Sequence, residues 1–465
     1  MTQKAEAVVI GGGPGGYVAA IRLGQLGKDT ILIEKGKLGG VCLNTGCIPS
    51  KALIRVAKLK NRLEAAKQIG LEASDLKVDL AKVQAWKESI VTRLVSGIDY
   101  LCKSNNVRVV NGEATFRTPH AIDVKTPTGT DTIETENTII ATGSRPVEIS
   151  GFKFDGVNVV TSTEMLALRQ TPINLVVVGA GVSGLEMATM YAQFGSKVTV
   201  LELLDQLLPG VVLDAEMLKT VERAFRRLGI EYHIKSRAKE YRDGKVYATL
   251  EDGKEVALSC DKVLVSVGRR PNSDQLALEK TGVRTDQHGW IQVDKKLQTN
   301  VPGTYAIGDV TGPPLFAHKA SKDGIIAAEV IAGMNSEADY RGIPWAIFID
   351  PEIASVGLTE TQAREKGYNP IAGKFPFTAL GRAMLAGETE GFVKIVADKE
   401  SDVVLGVHII GPEASDIISE AALAVEMGAT LEDIGFTIHP HPTFPEAIME
   451  AAEAAKRKAI HITQK

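Results

Sequence analysis

The sequence lacks three features that would each point to a particular class of protein. It has four cysteines in 465 residues, too few for the disulfide framework of a small secreted domain. Its net charge is only −4, so nothing in the charge favours nucleic acid or an anionic membrane as a partner. No apolar run approaches the roughly 20 residues of a membrane-spanning helix. We therefore expect no membrane insertion and no nucleic-acid partner.

The beginning of the sequence has no pattern typical of a targeting segment. The first predicted strand, in AEAVVIGGG, starts almost at Met1, so we expect a cytoplasmic protein without a signal or transit peptide. The composition is that of a globular protein, with 44% hydrophobic and 24% charged residues. At about 150 residues per domain, the length predicts three or four domains.

An internal repeat is the strongest organisational signal. Residues 7–34 and 175–202 both read as strand, glycine loop, helix and strand, and their glycines and final acid match at one constant offset. The first copy carries Gly11, Gly13, Gly16 and Glu34, and the second carries Gly179, Gly181, Gly184 and Glu202. Each copy predicts a βαβ unit with parallel strands, and hence a doubly wound nucleotide-binding domain.

The chemistry of these glycine loops indicates two dinucleotide sites. Glycines allow the tight turn and let the backbone approach a pyrophosphate, which then lies at the positive end of the helix. The acid at the end of the second strand is placed to accept a hydrogen bond from a ribose 2′-hydroxyl. No Arg or Lys occurs among residues 203–208 to bind a 2′-phosphate, so the second copy favours NAD over NADP.

The rest of the chain alternates between these units and a different domain. Residues 137–146 (NTIIATGSRP) predict a short buried strand with a glycine turn, and we expect a domain exchange near 145–150. TYAIGDV at 304–310 has a similar form and predicts a return to the first site, which makes the first domain discontinuous. From about Pro344, VGLTE, GFVKIVAD and VVLGVHIIG predict strands and ASDIISEAALAVEMGA a helix, typical of an α+β domain.

The C-terminal region predicts a proline-containing loop followed by a helix. Pro445 is favourable at the helix start, and we expect Lys and Arg in its last turns.

Cys42 and Cys47 lie close together in GGVCLNTGCIPSK, directly after the first βαβ unit. A bridge over so short a separation does little to close a large loop, and zinc would need further Cys or His ligands nearby. The pair therefore favours a dithiol switch, for which a flavin is a natural two-electron acceptor. Cys102 and Cys260 lie among apolar residues and predict inert buried thiols.

Six motifs together resemble the pyridine nucleotide-disulfide oxidoreductases, and most closely the dihydrolipoamide dehydrogenases of that family. They are GGVCLNTGCIPSK, ATGSRP, VGRRPN, AIGDV, AHKA and HPHPTFPE, and the similarity extends over about residues 7–455. The resemblance implies an α/β fold with two Rossmann-like domains, a central domain and an α+β interface domain. The expected ranges are 1–148 for FAD binding, 149–272 for NAD binding, 273–343 for the central domain and 344–465 for dimerisation.

The resemblance also implies catalytic roles. Cys42 would exchange with dihydrolipoamide, and Cys47 would form a charge-transfer contact with the flavin. Lys51 would lie near flavin N5 and pair with Glu186, although a solvated helix face is the alternative for both residues.

His441 matches the general base of the family, and Glu446 matches the carboxylate that orients this base. A neutral imidazole can take a proton from the incoming thiol, and the carboxylate fixes its tautomer. His439 and His318 are expected to have structural or packing roles.

The cofactor contacts follow by the same resemblance. The residues expected to bind FAD are Gly11, Gly13, Gly16, Glu34, Lys51, Gly112, Thr142, Gly143, Ser144, Asp309 and Ala317. The residues expected to bind NAD are Gly179, Gly181, Gly184, Glu202, Gly268 and Arg269. No metal site is expected. Three residues depart from the family pattern, Ser183 in the second glycine loop and Pro440 and Pro445 around the His loop.

The implied function is the oxidation of protein-bound dihydrolipoamide to lipoamide with reduction of NAD⁺. The expected partners are a second copy of the chain and the lipoyl-bearing acyltransferase of a 2-oxo acid dehydrogenase complex, or a glycine-cleavage complex. We expect the lipoyl group on another chain, because the first strand begins at once. The alternatives are a sister reductase acting on glutathione or mercury, an NADH diaphorase, and a non-catalytic assembly subunit. Glu202 disfavours NADP, and the absence of a late cysteine pair disfavours mercury.

Overall fold

The computed structural model describes residues 2–72 and 76–463 and divides the chain into two compact units, neither of which is continuous in sequence. The first unit consists of Met1–Val56, Lys77–Gln170 and Val265–Asp339, and the second of Ala57–Leu76, Thr171–Leu264 and Tyr340–Lys465. The four domain ranges expected from the sequence stay a prediction.

Helices and strands alternate through much of the chain. The helices are α1 (Pro14–Gln25), α2 (Gly40–Thr45), α3 (Cys47–Ala65), α4 (Leu80–Ser104), α5 (Ser162–Met165), α6 (Val182–Phe194), α7 (Ala215–Arg227), α8 (Ala317–Ile331), α9 (Glu360–Glu365), α10 (Gly381–Ala386), α11 (Ala414–Met427), α12 (Leu431–Phe436) and α13 (Glu446–Ala455). Short 3-10 helices lie at Ala66–Ile69, Leu278–Lys280, Gly308–Thr311 and Phe377–Ala379.

The strands are β1 (Thr2–Ile10), β2 (Thr30–Glu34), β3 (Arg108–Asn111), β4 (Glu113–Thr118), β5 (Ala121–Thr126), β6 (Gly129–Ile140), β7 (Ser144–Pro146), β8 (Val159–Val160), β9 (Asn174–Val178), β10 (Lys197–Leu201), β11 (Glu231–His233), β12 (Arg237–Arg242), β13 (Lys245–Thr249), β14 (Glu255–Ser259), β15 (Lys262–Val265), β16 (Arg269–Pro271), β17 (Thr304–Ala306), β18 (Trp345–Ile347), β19 (Glu352–Gly357), β20 (Pro370–Pro376), β21 (Phe392–Asp398) and β22 (Val404–Gly411).

The first unit is built on a sheet with the strand order β3-β2-β1-β6-β5-β4, to which β17 adds by pairing with β6. β3, β2, β1, β6 and β17 run parallel, and α1 joins β1 to β2 as the repeat predicts. The pairing of β17 with β6 confirms that the chain returns to the first sheet after a long excursion. The predicted discontinuity of the first domain is therefore confirmed.

The strand predicted at residues 137–146 is longer than expected and begins earlier, at Gly129. Only its last residues are a continuous buried run, whereas the preceding part alternates in burial and pairs antiparallel with β5. The buried end of β6 was predictable from the sequence because it is the only part of the strand that is an apolar run.

Helix α8 packs closely against α1 in the first unit. A Cβ atom on Gly324 would lie 2.5 Å from the carbonyl oxygen of Gly15, and one on Gly15 would lie 2.9 Å from that of Ala320. The two helices therefore approach backbone to backbone, and this contact lies at the start of α1, next to the first glycine loop.

The second unit contains the second repeat copy. Its strands lie in the order β11-β10-β9-β15, with β9, β10 and β11 parallel and α6 connecting β9 to β10. A separate antiparallel sheet, β12-β13-β14, follows in the chain. The predicted second βαβ unit is confirmed.

The later part of the second unit is the predicted α+β domain. Its antiparallel sheet has the order β18-β19-β22-β21-β20, and α11 and α13 pack against it. Its core includes Phe375, Val407, Ile409, Ala421 and Ile448, all fully or almost fully buried. The strand predicted at VGLTE ends at Gly357, before the last three residues of that motif.

The basic residues expected in the last turns of the C-terminal helix lie outside it, and that expectation was wrong. Helix α13 ends at Ala455, with Lys456 as its C-cap. Arg457 then adopts a left-handed conformation, with φ of 58°, which cannot continue an α-helix. Within residues 2–72 and 76–463, no helix is both long and apolar enough to cross a membrane.

Candidate active site

Cys42 and Cys47 form a disulfide in the first unit, with 4.6 Å between their Cα atoms. Cys42 lies in α2, Cys47 is the first residue of α3, and Gly46 separates the two helices. Both cysteines are partly exposed. The predicted dithiol pair is confirmed as a disulfide that solvent can reach.

Two glycines place this disulfide segment against the first glycine loop. Gly39 and Gly40 have φ of 94° and 58°, in the left-handed region that favours glycine. The Gly39 N–H donates to the Gly12 carbonyl at 2.7 Å, and a Cβ on Gly40 would lie 2.6 Å from the Cα of Gly13. The segment that leads into the redox pair is thus packed directly on the first glycine loop.

The position of Cys47 distinguishes it chemically from Cys42. Cys47 begins a 19-residue helix, where the unpaired backbone N–H groups and the helix dipole favour a negative charge. A thiolate is therefore more stable on Cys47 than on a sulfur without such a helix end. This asymmetry supports different roles for the two sulfurs.

The first glycine loop forms the turn that its glycines predict. Gly11 has φ of 102°, and a Cβ on Gly16 would overlap the Gly11 carbonyl oxygen. The two carboxylate oxygens of Glu34 accept the N–H groups of Gly12 and Gly36, each at 2.7 Å. Glu34 therefore holds the loop and stands at the end of β2, where a ribose would lie.

The second glycine loop has the same geometry. Gly179 also has φ of 102°, and a Cβ on Gly184 would overlap the Gly179 carbonyl oxygen. Glu202 accepts the N–H groups of Ala180 at 2.6 Å and Leu204 at 2.8 Å. The repeat found in the sequence is therefore also a repeat of carboxylate contacts.

Among the helices that begin without a side-chain cap from the described part of the chain, three start at predicted cofactor residues. Their N-cap residues are Gly13 for α1, Gly181 for α6 and Phe316 for α8. Uncapped first-turn N–H groups suit a pyrophosphate at α1 and α6, and they suit a hydrogen-bond acceptor at Ala317, the first residue of α8. The backbone present thus fits two dinucleotides.

A polar cluster links the predicted FAD residues Ser144 and Asp309. The Ser144 hydroxyl donates to Asp309 Oδ2 at 2.6 Å, and Arg269 Nε donates to the same hydroxyl oxygen at 2.7 Å. Burial lowers the pKa of the Arg269 guanidinium, and the negative charge of Asp309 opposes that shift. The structure therefore places Arg269 beside Ser144 in the first unit, while its expected role near nicotinamide stays a prediction.

The remaining predicted FAD residues also lie in the first unit. Gly143 has φ of 69°, and Thr142 donates to the Asn272 carbonyl at 2.9 Å. Gly112 lines a cleft of about 390 Å³ and donates its N–H to the Glu34 carbonyl at 3.0 Å. The cleft is also lined by Lys35, the residue after Glu34, and its size suits the nucleoside end of a dinucleotide.

His441 and Glu446 form an ordered pair in the second unit. His441 Nδ1 lies 2.8 Å from Glu446 Oε1, and Glu446 Oε2 accepts the Thr443 N–H at 2.5 Å. The His441 side chain is 77% exposed, whereas Glu446 is 15% exposed. With Nδ1 directed at the carboxylate, Nε2 faces outward as a proton acceptor.

Lys51 and Glu186 belong to different units, so their predicted pairing stays a prediction. Lys51 follows Cys47 by four residues on α3 and so shares a face with it. Glu186 lies on α6, is buried, and accepts the Phe348 N–H at 3.0 Å. Burial excludes the solvated-face alternative for Glu186.

A sequence profile of the pyridine nucleotide-disulphide oxidoreductases matches residues 5–324. The profile of the dimerisation domain of the same family matches residues 343–452. The chain belongs to the pyridine nucleotide-disulphide oxidoreductase family. The family, the α/β fold class and the enzyme class predicted from the sequence are confirmed.

Several relatives are similar over nearly the whole chain. Dihydrolipoyl dehydrogenase 3 from Haloarcula marismortui is 46% identical over 99% of this chain and 98% of its own. Dihydrolipoyl dehydrogenase from Bacillus subtilis is 48% identical over the same shares. The solved structure of LpdA from Mycobacterium tuberculosis matches with a TM-score of 0.89 and 29% identity, covering 98% of this chain and 99% of LpdA.

FAD and NAD, the cofactors predicted from the sequence, are those of this oxidoreductase family. The uncapped helix starts and glycine loops of both units fit these two groups. No cluster of three or more potential metal-ligating side chains occurs in the part of the chain that the structure describes.

The surroundings of three residues agree with the structural roles predicted for them: Cys102, Cys260 and His439. Cys102 and Cys260 are buried, and burial raises the pKa of each thiol to about 11. His439 lies between Glu420 and the Thr437 carbonyl, each at 2.8 Å, and the hydrogen bond to Glu420 raises its pKa.

The ring of His318 stacks on Phe316, with 5.2 Å between the ring centroids. This contact agrees with the packing role expected for His318.

Asn272, which holds the turn at Thr142 and Gly143 together, was not predicted from the sequence. Its side chain donates to the Thr142 carbonyl at 2.9 Å, and its backbone N–H donates to the Gly143 carbonyl at 3.0 Å. Asn272 ends the VGRRPN motif, so the signal was present in a motif that had been interpreted only through its glycine and arginine.

Proposed function

We propose that this oxidoreductase oxidises dihydrolipoamide to lipoamide and reduces NAD⁺ to NADH with release of one proton. The observation that carries the proposal is the Cys42–Cys47 disulfide at the start of α3, in a chain 46–48% identical to several dihydrolipoyl dehydrogenases. The substrate dithiol loses two electrons, and these pass through the cysteine pair to the nucleotide. FAD, when bound, supplies the two-electron carrier between the dithiol and NAD⁺.

The exchange step follows from the asymmetry of the disulfide. A substrate thiolate attacks Cys42 Sγ, the Cys42–Cys47 bond breaks, and Cys47 leaves as a thiolate. The positive end of α3 stabilises that leaving group. The second substrate sulfur then attacks the first, which closes the lipoamide disulfide and frees Cys42.

His441 is the base that generates the attacking thiolate in this proposal. Its Nε2 accepts the thiol proton, and Glu446 stabilises the resulting imidazolium through Nδ1. Thr443 and the start of α13 hold Glu446 in place. Because His441 lies in the segment that matches a dimerisation domain, we assign it to the dithiol of a second copy in a homodimer.

Other residues retain their predicted roles in the proposal. Lys51 and Glu186 serve the flavin side of the reaction, and Glu202 selects NAD through the ribose hydroxyl. The proposed source of dihydrolipoamide is the lipoyl group of an acyltransferase in a 2-oxo acid dehydrogenase or glycine-cleavage complex.

The deciding experiment compares substrates on the purified holoprotein. Dihydrolipoamide with NAD⁺ is expected to react fastest, and glutathione disulfide with NADH or NADPH to react poorly. Cys42→Ser should abolish the dihydrolipoamide reaction, whereas Cys102→Ser, a buried thiol outside the site, should leave it intact. A disulfide other than lipoamide as the preferred substrate would instead indicate a sister reductase. One such protein is the HOCl-induced flavoprotein disulfide reductase from Escherichia coli. Its solved structure matches with a TM-score of 0.85 and 28% identity over 96% of this chain and 99% of that one.

A mixed dimer tests whether His441 acts on the partner. His441→Gln should reduce dihydrolipoamide oxidation by roughly two to four orders of magnitude, the usual contribution of a general base, and spare FAD binding. A heterodimer of a Cys42→Ser chain and a His441→Gln chain has one site with both lesions and one with neither. Activity should return on mixing, and its absence in proven heterodimers would mean that the base acts within one chain.

A further inference from the structure

Residues 348–352, which we name the 348–352 segment, contact helix α6 at two points in the second unit. The Phe348 N–H donates to Glu186 Oε1 at 3.0 Å, and the Gln193 amide donates from Nε2 to Asp350 Oδ2 at 2.7 Å. Glu186 and Gln193 are seven residues apart, so both lie on the same face of α6. The segment therefore runs alongside the helix and is attached to it twice.

Both contacts on the helix side are buried. Glu186 is 4% exposed and Gln193 is 5% exposed. A buried carboxylate needs hydrogen-bond donors to replace water, and the Phe348 N–H is one of them. Ile347 and Ile349 on either side of Phe348 are buried as well, so this stretch of backbone lies inside the protein.

The middle of the 348–352 segment has no sheet pairing of its own. Strand β18 ends at Ile347 and β19 begins at Glu352. Phe348 therefore lies outside the regular sheet, and the bond between Gln193 and Asp350 attaches the same stretch to α6 two residues further along the chain.

The far end of the segment is attached to a different helix. Glu352 lies 2.6 Å from Lys58 of α3 and accepts the Ser415 hydroxyl at 2.7 Å. Burial alone would raise the pKa of Glu352, but Lys58 and Ser415 outweigh it and hold this pKa below its usual value. Glu352 is therefore close to Asp350 in sequence, but its partners are Lys58 and Ser415 and not Gln193.

We propose that Gln193 and Asp350 are positioning residues for Glu186, which they orient through the backbone of Phe348. The inference rests on the proposed role of Glu186 at the flavin side of the reaction. Loss of the Gln193–Asp350 bond lets the Phe348 N–H move away from Glu186, and a hydrogen bond weakens steeply with such misalignment. The carboxylate then loses its fixed orientation, and geometry of this kind is worth large factors in rate.

The rate test separates the two half-reactions of the holoenzyme. Asp350→Ala and Gln193→Leu should each slow flavin reduction by NADH about tenfold, while reduction of the disulfide by dihydrolipoamide is unchanged. Asp350→Asn should stay close to the wild-type rate, because its amide oxygen still accepts from Gln193. Ser415→Ala is the matched control, since it perturbs the Glu352 end of the segment and should not change either half-reaction.

A second readout does not depend on activity. Hydrogen exchange of the Phe348 amide, followed by mass spectrometry, should be faster in Asp350→Ala and Gln193→Leu and unchanged in Asp350→Asn and Ser415→Ala. Wild-type rates and exchange in Asp350→Ala and Gln193→Leu overturn the inference. Equal losses in both half-reactions with a lower melting temperature also overturn it, because they indicate a merely structural contact.

Glu186→Gln distinguishes failure of the inference from failure of the proposed function. If this variant is slow with NADH while Asp350→Ala and Gln193→Leu are normal, the positioning inference alone is wrong. If Glu186→Gln is itself normal, the proposed role of Glu186 and the inference both fail. If dihydrolipoamide is not a substrate but the NADH results are as expected, the inference stands without the proposed substrate.

Discussion

The two glycine loops have the same internal geometry but different surroundings. Each has a first glycine with φ of 102°, a third glycine against the first carbonyl, and an acid that accepts two backbone N–H groups. Gly40, just before the disulfide, packs on the first loop at Gly13. Helix α8 packs on the same loop at Gly15. The second loop accepts one backbone hydrogen bond from a neighbouring segment, from the Leu208 N–H to the Ala180 carbonyl at 3.0 Å.

This difference suits two different uses of a dinucleotide. A loop covered by two other segments suits a group that stays bound, whereas a loop with fewer such contacts suits a ligand that enters and leaves. The first copy is therefore suited to FAD as a resident cofactor, and the second to NAD as an exchanging substrate. Variants that affect only one copy can test this division.

The first test of this division adds one methyl group to the third glycine of each copy. Gly16→Ala should lower the FAD content of the purified protein about tenfold, because overpacking against a fixed carbonyl costs about 1–3 kcal/mol. Gly184→Ala should keep FAD and the dihydrolipoamide half-reaction but slow NAD⁺ reduction by a similar factor. Flavin absorbance per chain and stopped-flow rates measure the two effects.

A helical glycine with free space provides the control for these variants. Gly97 lies within α4, and a Cβ added there would meet nothing within 4 Å outside the backbone of its own helix. Gly97→Ala should therefore leave both cofactors unaffected and stabilise the helix by up to about 1 kcal/mol. Loss of the same cofactor in Gly16→Ala and Gly184→Ala would contradict the assignment of one dinucleotide to each copy.

The second test concerns the choice between NAD and NADP at the second copy. The wild-type enzyme should prefer NAD by at least about a hundredfold in kcat/KM, because Glu202 repels a 2′-phosphate and would lose a hydrogen bond. Replacing Glu202 by Ala and the exposed Leu203 by Arg should bring the two constants within about tenfold. Steady-state assays with both nucleotides check this.

The FAD content of that double variant is the internal control. It should equal that of the wild type, since both changes lie outside the first copy. Equal use of NAD and NADP by the wild-type enzyme would mean that Glu202 does not discriminate between the nucleotides.

Much of the fold and of the site could be predicted because the signals are local. The signals of the first site all lie within about the first 50 residues, and each has a direct chemical meaning. They are the glycines, the acid at the end of the second strand and the two nearby cysteines. The buried runs of β1, β2 and β9 likewise need no distant partner to be recognised.

The parts that could not be predicted depend on contacts between distant segments. The polar half of β6 is a strand because β5 pairs with it, and Asn272 matters because it reaches Thr142. Gln193 and Asp350 are 157 positions apart, and neither belongs to a recognised motif. Helix α13 ends early because Arg457 takes a left-handed conformation, which no propensity for Arg indicates.

The smallest effect is expected from Lys35, the residue after the acid in the first copy and the counterpart of Leu203. The Lys35 ammonium lies 3.9 Å from Glu113, and both side chains are more than half exposed, so this surface pair contributes only about 0–1 kcal/mol. The ribose of FAD carries no 2′-phosphate, so the first copy gains nothing from a cation there. Lys35→Leu should therefore change the FAD dissociation constant by less than about threefold, measured by titrating the apoprotein, with Lys35→Arg as the charge-conserving control. A much weaker affinity in Lys35→Leu, restored in Lys35→Arg, would mean that the first loop also recognises its ligand by charge. The contrast between a loop covered by two segments and a charge-selective loop with fewer contacts would then no longer explain the two sites.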